Sequence, residues 1–271
     1  MNNLLGQFWS SVRLAVPVLL WLASHTATGS ATPTNSTPTE LFDYAEPRLL
    51  AGTLYAAGSD RKDVLFTFRR SATRSGSTVH VERLFNRPDG STGAVENLIY
   101  ESGQLVSYQM KDLQAGLWGS IQIYPDPKKP GQQKISINHG RDSDTKHKGT
   151  EDNLPKNTVI DDTLYPFILA HWDELERGAT VKFRFVSLER ETTFGFKLAK
   201  ATEDVVNGKL VVCIRMEPTS LIVARFLDPL YFSLEKDAPH RMLEYTGRTT
   251  PRVKKGKAWK YLDADTVFDW K

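Results

Sequence analysis

The chain has 271 residues, 40% hydrophobic and 25% charged, and 35 basic against 32 acidic side chains leave a net charge of +3. Signs that nearly cancel exclude a dedicated nucleic-acid binder, which would be far more lopsided, and the single cysteine excludes an internal disulfide framework. Stability must then come from apolar burial, for which a chain of this size suffices without a metal or disulfide staple.

Met1 to Arg13 carries one positive charge and no acid, Leu14 to Ala23 is a continuous apolar run, and small residues follow through Ala31. That order reads as a signal peptide over residues 1–31, with Ala27-Thr28-Gly29 and Gly29-Ser30-Ala31 as cleavage candidates. The run is too short to span a bilayer, which takes about 20 residues; an uncleaved short anchor is the alternative. No cysteine closes the segment, so the usual lipid acceptor is missing, and the expected location is the periplasm or the exterior. Residues 32–45 read as a flexible Ser/Thr/Pro-rich leader that cannot bury enough surface to order itself. Asn35-Ser36-Thr37 within it matches a glycosylation sequon. Residues 46–271 read as a single β-rich domain.

From about residue 50 the apolar pattern has period two. Val64, Phe66 and Phe68 alternate with Leu65, Thr67 and Arg69, and Val79 and Val81 alternate with His80 and Glu82. Ile121 and Ile123, Ile135 and Ile137, Val181, Phe183 and Phe185, and Phe194, Phe196 and Leu198 follow suit, as strands with one buried face. Between them lie the breakers Arg87-Pro88-Asp89-Gly90, Glu101-Ser102-Gly103-Gln104, 126–131 and Asn207-Gly208, the last a strong hairpin signal. About ten such strands predict a curled antiparallel meander, a half-barrel or barrel.

One segment departs from this rhythm. Leu164, Phe167, Ile168, His171, Trp172 and Leu175 recur at spacings of three and four, the stripe of an amphipathic helix. Asp161, Asp162 and Thr163 precede it, Pro166 sits in its first turn and Gly178 follows, so a helix over 163–177 is predicted, packed on the sheet. Residues 217–229, bracketed by Pro218 and Pro229, fit either a short helix or an edge strand.

Motifs with chemistry are scarce. There is no Gly-x-Ser-x-Gly elbow, phosphate-cradling loop, His-Glu-x-x-His or paired cysteine motif. Ser143-x-x-Lys146 and Ser233-x-x-Lys236 lack the partner motifs that would make them a hydrolase signature. His139 and His147 flank Asp142 and Asp144, but Arg141, Lys146 and Lys148 put positive charge among those would-be ligands, so no metal site is expected. His171 reads as a core histidine and Cys213, in LVVCI, as a small buried hydrophobe; no catalytic residue and no cofactor is assigned. Arg248 to Lys260 holds six basic residues and no acid. Lys254-Lys255-Gly256-Lys257 within it reads as a solvated hairpin tip, while Arg252, Lys254 and Lys255 could meet an envelope protein or an anionic membrane surface. Trp259 and Trp270 read as core anchors on a closing strand.

Several stretches resemble a group of uncharacterised exported bacterial proteins: residues 100–106 (YESGQLV), 216–220 (MEPTS), 227–232 (LDPLYF) and 243–248 (LEYTGR). The likeness covers most of residues 60–270. The group is a domain of unknown function similar to the half-barrel of periplasmic lipoprotein-carrier proteins. The resemblance implies a curled sheet with an apolar concave face and a helical lid, and it brings no catalytic residue. Three functions stand open: a non-catalytic module sheltering an apolar or lipid-like ligand, a structural or interaction protein of the envelope, and a hydrolase with an unrecognised site.

Overall fold

A computed structural model describes residues 42–145, 147–206, 208–225 and 227–270. The signal and nearly all of the leader therefore lie outside the described residues, as do Lys146 and Asn207. The strands are β1 (Leu49–Ala56), β2 (Val64–Ser75), β3 (Thr78–Asn86), β4 (Thr92–Glu101), β5 (Gln104–Asp112), β6 (Leu117–Pro125), β7 (Gln133–Arg141) and β8 (Thr150–Asn153). After β9 (Thr158–Val159) come α1 (Leu164–Ala170) and α2 (Trp172–Glu176), then β10 (Val181–Ser187), β11 (Thr192–Val206), β12 (Lys209–Pro218), β13 (Leu230–Glu235), β14 (Met242–Lys255) and β15 (Ala258–Asp269). The protein is mainly β, with fifteen strands in one sheet among the described residues where about ten were predicted. Part of the excess arises because β8 and β9 are too short to show alternation.

The order in the sheet is β8-β7-β6-β5-β4-β3-β2-β1-β15-β14-β13-β12-β11-β10-β9. Every neighbouring pair is antiparallel except β9 with β10. The sheet is open, with β8 and β9 at its edges, yet these edges are consecutive in the chain. Residues 154–157 span at most roughly 18 Å even fully extended. Laid flat, the fifteen strands would part the edges by roughly 65 Å. The sheet must coil until its edges nearly meet.

Inward-facing side chains form the core. Leu54, Phe66, Phe68, Phe85 and Leu262 pack near the β1–β15 junction, Val81, Leu98, Tyr108, Ile121 and Ile137 along β3–β7, and Leu198, Ile214, Met216 and Leu234 along β11–β13. Cys213 lies in the opposite row of β12, half-buried rather than in the core. The 217–229 ambiguity resolves as the end of β12 followed by a 3₁₀ turn at Val223–Arg225.

The predicted helix forms as two short ones. Asp161–Thr163 make a 3₁₀ turn, and α1 and α2 meet at His171, whose N–H reaches back to the Ile168 carbonyl at 3.1 Å. Leu164, Ile168, Trp172 and Leu175 are buried against β10–β13, and Trp172 stacks on His240 with ring centroids 4.1 Å apart. Gly178 at φ +85° ends the segment: its N–H bonds the Leu175 carbonyl and that of Ala179 the Glu174 carbonyl, both at 2.9 Å. This paired closure requires the left-handed conformation that glycine adopts without strain. No helix among the described residues is long and apolar enough to cross a membrane.

Leu175 is fully buried, so Leu175→Ala should cost about 2–5 kcal/mol by removing contacts and leaving a cavity. Leu221→Ser, at a side chain 85% exposed, should leave the urea midpoint nearly unchanged; equal shifts for the two variants would contradict the placement of the helices.

Candidate functional site

The coiled sheet is not filled by its own side chains. A cavity of about 700 Å³ lies between its concave face and the segment that carries α1. Phe68, Met216, Phe232, Tyr245, Phe268 and Trp270 are among the apolar side chains that wall it.

Across one wall runs a row set by strand register. Leu50, Arg70, Arg83, Glu96, Met110, Gly119 and His139 are successive partners from β1 to β7. Arg70 lies in line with Phe66, Phe68 and Ala72, Arg83 with Val79, Val81 and Phe85, and Glu96 with Ala94, Leu98 and Tyr100. Each charge thus occupies an inward position in an otherwise apolar row. Arg70 directly opposite Arg83 would be repulsive by itself. Two carboxylates from the turn before α1 relieve it.

Asp161, at φ +35°, pairs with Arg83, and Asp162 lies 3.6 Å from Arg70 and 3.9 Å from Arg83. Tyr100 donates its hydroxyl proton to Asp162 at 2.9 Å. Asp161 and Asp162 stand at the start of the helical segment, as read in the sequence, and also pin it onto the sheet. Burial works against the Asp162 carboxylate, but Arg70 and Arg83 outweigh it and hold its pKa below the ordinary value. Burial likewise opposes the Arg83 charge, and Asp161, Glu96 and Asp162 overcome it, keeping Arg83 protonated.

Glu96 is wholly buried. It lies 3.0 Å from the Arg83 guanidinium, accepts the Tyr108 hydroxyl at 3.1 Å and that of Thr250 from β14. Three carboxylates face two guanidiniums here, and desolvation pushes the Glu96 pKa up to about 8 despite the opposing pull of Arg83. The chain entering β1 closes over the same corner. Tyr44 stacks on Tyr100 at 3.7 Å, and Arg70 donates to the Tyr44 and Pro47 carbonyls at 2.7 and 2.9 Å. Residues 42–45, counted in the sequence with the flexible leader, are thus packed into the fold.

A second polar group adjoins the first along β14. β14 carries a bulge between Thr249 and Arg252, which turns its outer half toward β4 and β5. Arg252 donates its backbone N–H to Asp112 at 2.8 Å and pairs with Glu189. In the sequence Arg252 belongs with a solvent-facing basic patch. Here its side chain is only 17% exposed and lines the cavity, whereas Lys254 and Lys255 stand exposed beside the hairpin tip at Gly256. Leu188, in the β10–β11 turn, rests over Gly119, where a Cβ would stand 2.9 Å from its methyl. Next to it Glu191 accepts the His139 backbone N–H at 3.0 Å and approaches His147 to 2.6 Å. These contacts tie β7 to β10–β11 where no strand ladder does.

His139 and His147 meet: the His139 backbone N–H lies 3.2 Å from His147 Nε2, and both contact Glu191. His139 lines the cavity and His147 caps the outside of that tie, while His171 lies at the kink, 3.4 Å from Glu174. No group of three metal-capable side chains gathers among the described residues. The residues that sequence reasoning passed over are Arg70, Arg83 and Glu96. Their signal was present: a charge in phase with the buried members of a period-two row.

No protein-family model and no curated protein matches the chain. Among solved structures it is similar to the crystal structure of a β-barrel-like protein of domain of unknown function DUF1849 from Brucella abortus, with 9% identity and a TM-score of 0.36 over 81% of this chain and 92% of that one.

The raised Glu96 pKa has a definite sign in stability. The folded chain holds a proton that the unfolded chain releases near the ordinary value of 4.5. The contribution is therefore fully present below pH 4.5 and is lost as pH rises to about 8. Glu96→Gln should flatten the decline of the urea midpoint over that window relative to the unsubstituted chain. Parallel profiles would show that Glu96 does not take up a proton on folding.

Proposed function

We propose that this chain is an exported, non-catalytic binding protein that shelters one apolar or lipid-like ligand inside its coiled sheet. The cavity carries the reading. Its volume of about 700 Å³ lies within the roughly 300–1,000 Å³ typical of small-molecule sites, and most of its exposed wall is apolar, interrupted by charged side chains such as Arg70, Arg83 and Arg252. Export rests on the order of charge, apolar run and small residues over 1–31.

The hydrolase alternative is less well supported. Glu96, the carboxylate with the most displaced pKa, is enclosed by Arg83, Tyr108 and Thr250 with no exposed surface. A general acid or base must reach its substrate within hydrogen-bond distance.

Native mass spectrometry of gently purified protein should show a population heavier than the bare polypeptide, and organic extraction should remove the excess. Met216→Trp replaces a flexible thioether in the cavity wall with a bulky ring. It should weaken binding of an environment-sensitive naphthalene dye at least tenfold, with a thermal scan confirming a cooperative fold. Bare polypeptide mass in every preparation, together with no dye binding by the unsubstituted chain, would overturn the proposal.

A further inference from the structure

Antiparallel pairing puts alternate turns at opposite ends of the coiled sheet, and the two ends differ in what they expose. The β5–β6 turn, the β12–β13 connection and the β14–β15 tip share one end. Gln114 in the first of these donates its side-chain amide to the Arg252 carbonyl at 3.1 Å, so the turn and the hairpin touch.

Large aliphatic side chains stand out into water at that end. Leu221 and Ile222, in the β12–β13 connection, are 85% and 72% exposed, and Leu113 in the β5–β6 turn is more than half exposed. Ile222 also lines the cavity together with Val223 and Leu227, so the cavity reaches the surface at this loop.

The hairpin on the same end is strongly basic. Residues 248–263 hold six basic side chains and one acid, Asp263. Arg248 is matched by Asp263, and Arg252 by Glu189. Lys254, Lys255, Lys257 and Lys260 are exposed, and among the described residues none of them pairs with a carboxylate. Trp259 is half-buried between them, and Tyr261 follows in an exposed position. Other turns at this end carry acids as well as bases, Asp63 and Asp89 among them, so the surplus is a property of the hairpin. The opposite end reverses the association: its exposed aliphatic side chains Val205 and Leu210, on the β11–β12 hairpin, lie with Glu203 and Asp204. Lys200 and Lys236 there are already taken by Glu203.

We propose that the end bearing Leu113, Leu221, Ile222 and the lysine-tipped hairpin is a docking surface for an anionic lipid bilayer. Aliphatic side chains on such loops enter the boundary between headgroups and acyl chains, while lysines stay at the level of the phosphates. Tyrosine and tryptophan rings suit the layer between. Charge complementarity selects the occupant, because unmatched lysines are drawn to an anionic surface within a Debye length and gain nothing from a neutral one. The surface does not require the cavity to hold a ligand. Where the cavity does hold a lipid-like chain, its opening at Ile222 faces the bilayer, and the chain passes between the two without crossing water.

The experiment is amide hydrogen exchange of the full chain, alone and with vesicles of phosphatidylcholine or of phosphatidylcholine with about one third phosphatidylglycerol. Exchange is followed segment by segment, which tells attachment through the apolar run at 14–23 from attachment through this surface. Anionic vesicles should slow exchange at 219–225 and 253–260 but not at 203–206 or 209–210. Neutral vesicles should not, and roughly 1 M salt, which screens charges beyond about 3 Å, should reverse the slowing at the hairpin. Lys254→Glu, Lys255→Glu and Lys257→Glu combined, or Leu113→Ser with Leu221→Ser, should raise the vesicle concentration for half-maximal slowing about tenfold or more. Thermal scans of both variants check that the fold is kept. Equal slowing by neutral vesicles, or slowing at the β11–β12 hairpin instead, overturns the proposal. No slowing by any vesicle overturns it too and leaves the patch to a protein partner. Dye binding without vesicles tests the cavity alone, so the two readings fail separately.

Discussion

The architecture depends on a tether. Strands β8 and β9 lie at opposite ends of a fifteen-strand sheet, yet residues 154–157 are all that separates them in the chain. No flat or gently twisted arrangement can satisfy that link, because it reaches less than a third of the width of the sheet laid flat. The sheet therefore coils and its inner face becomes a lumen. Normal strand twist supplies the direction of coiling, and the short link supplies its extent.

Coiling alone would leave an apolar trough open to water. The structure covers it with the segment just after the tether, whose placement is electrostatic as much as hydrophobic. Register sets Arg70 opposite Arg83, an arrangement a sheet by itself would disfavour. Asp161 and Asp162 supply the compensating charge from the turn before α1, while Leu164, Ile168, Trp172 and Leu175 bury the helical stripe nearby. Buried ion groups of this kind contribute less to net stability than their geometry suggests, since desolvation offsets attraction. Their effect is positional: the acidic turn has one place where its charges are matched.

The same economy leaves space inside. The β14 bulge brings Thr250 and Arg252 to β4 and β5, and Leu188 rests against Gly119. These contacts brace the walls without filling the lumen. What remains is a chamber with chiefly apolar exposed walls, crossed by buried charges whose positions strand register sets.

Period-two alternation in segments such as 64–69, 79–82 and 181–185 was enough to establish an antiparallel, curled, mainly β protein, because it reports directly which face of a strand is buried. The stripe from Leu164 to Leu175 located the helical segment for the same reason, and Asn207-Gly208 and Lys254 to Lys257 located hairpins through local backbone preference. Register lay beyond that information, since pairing joins residues distant in the chain and alternation is unchanged when a strand slides by two. Only the folded sheet set Arg70, Arg83 and Glu96 side by side, turned Arg252 from the basic hairpin toward the cavity, and gave Asp161 and Asp162 partners across the lumen. Local patterning shows which faces avoid water; which charges meet and where space is left depend on contacts between distant residues, which no local pattern encodes.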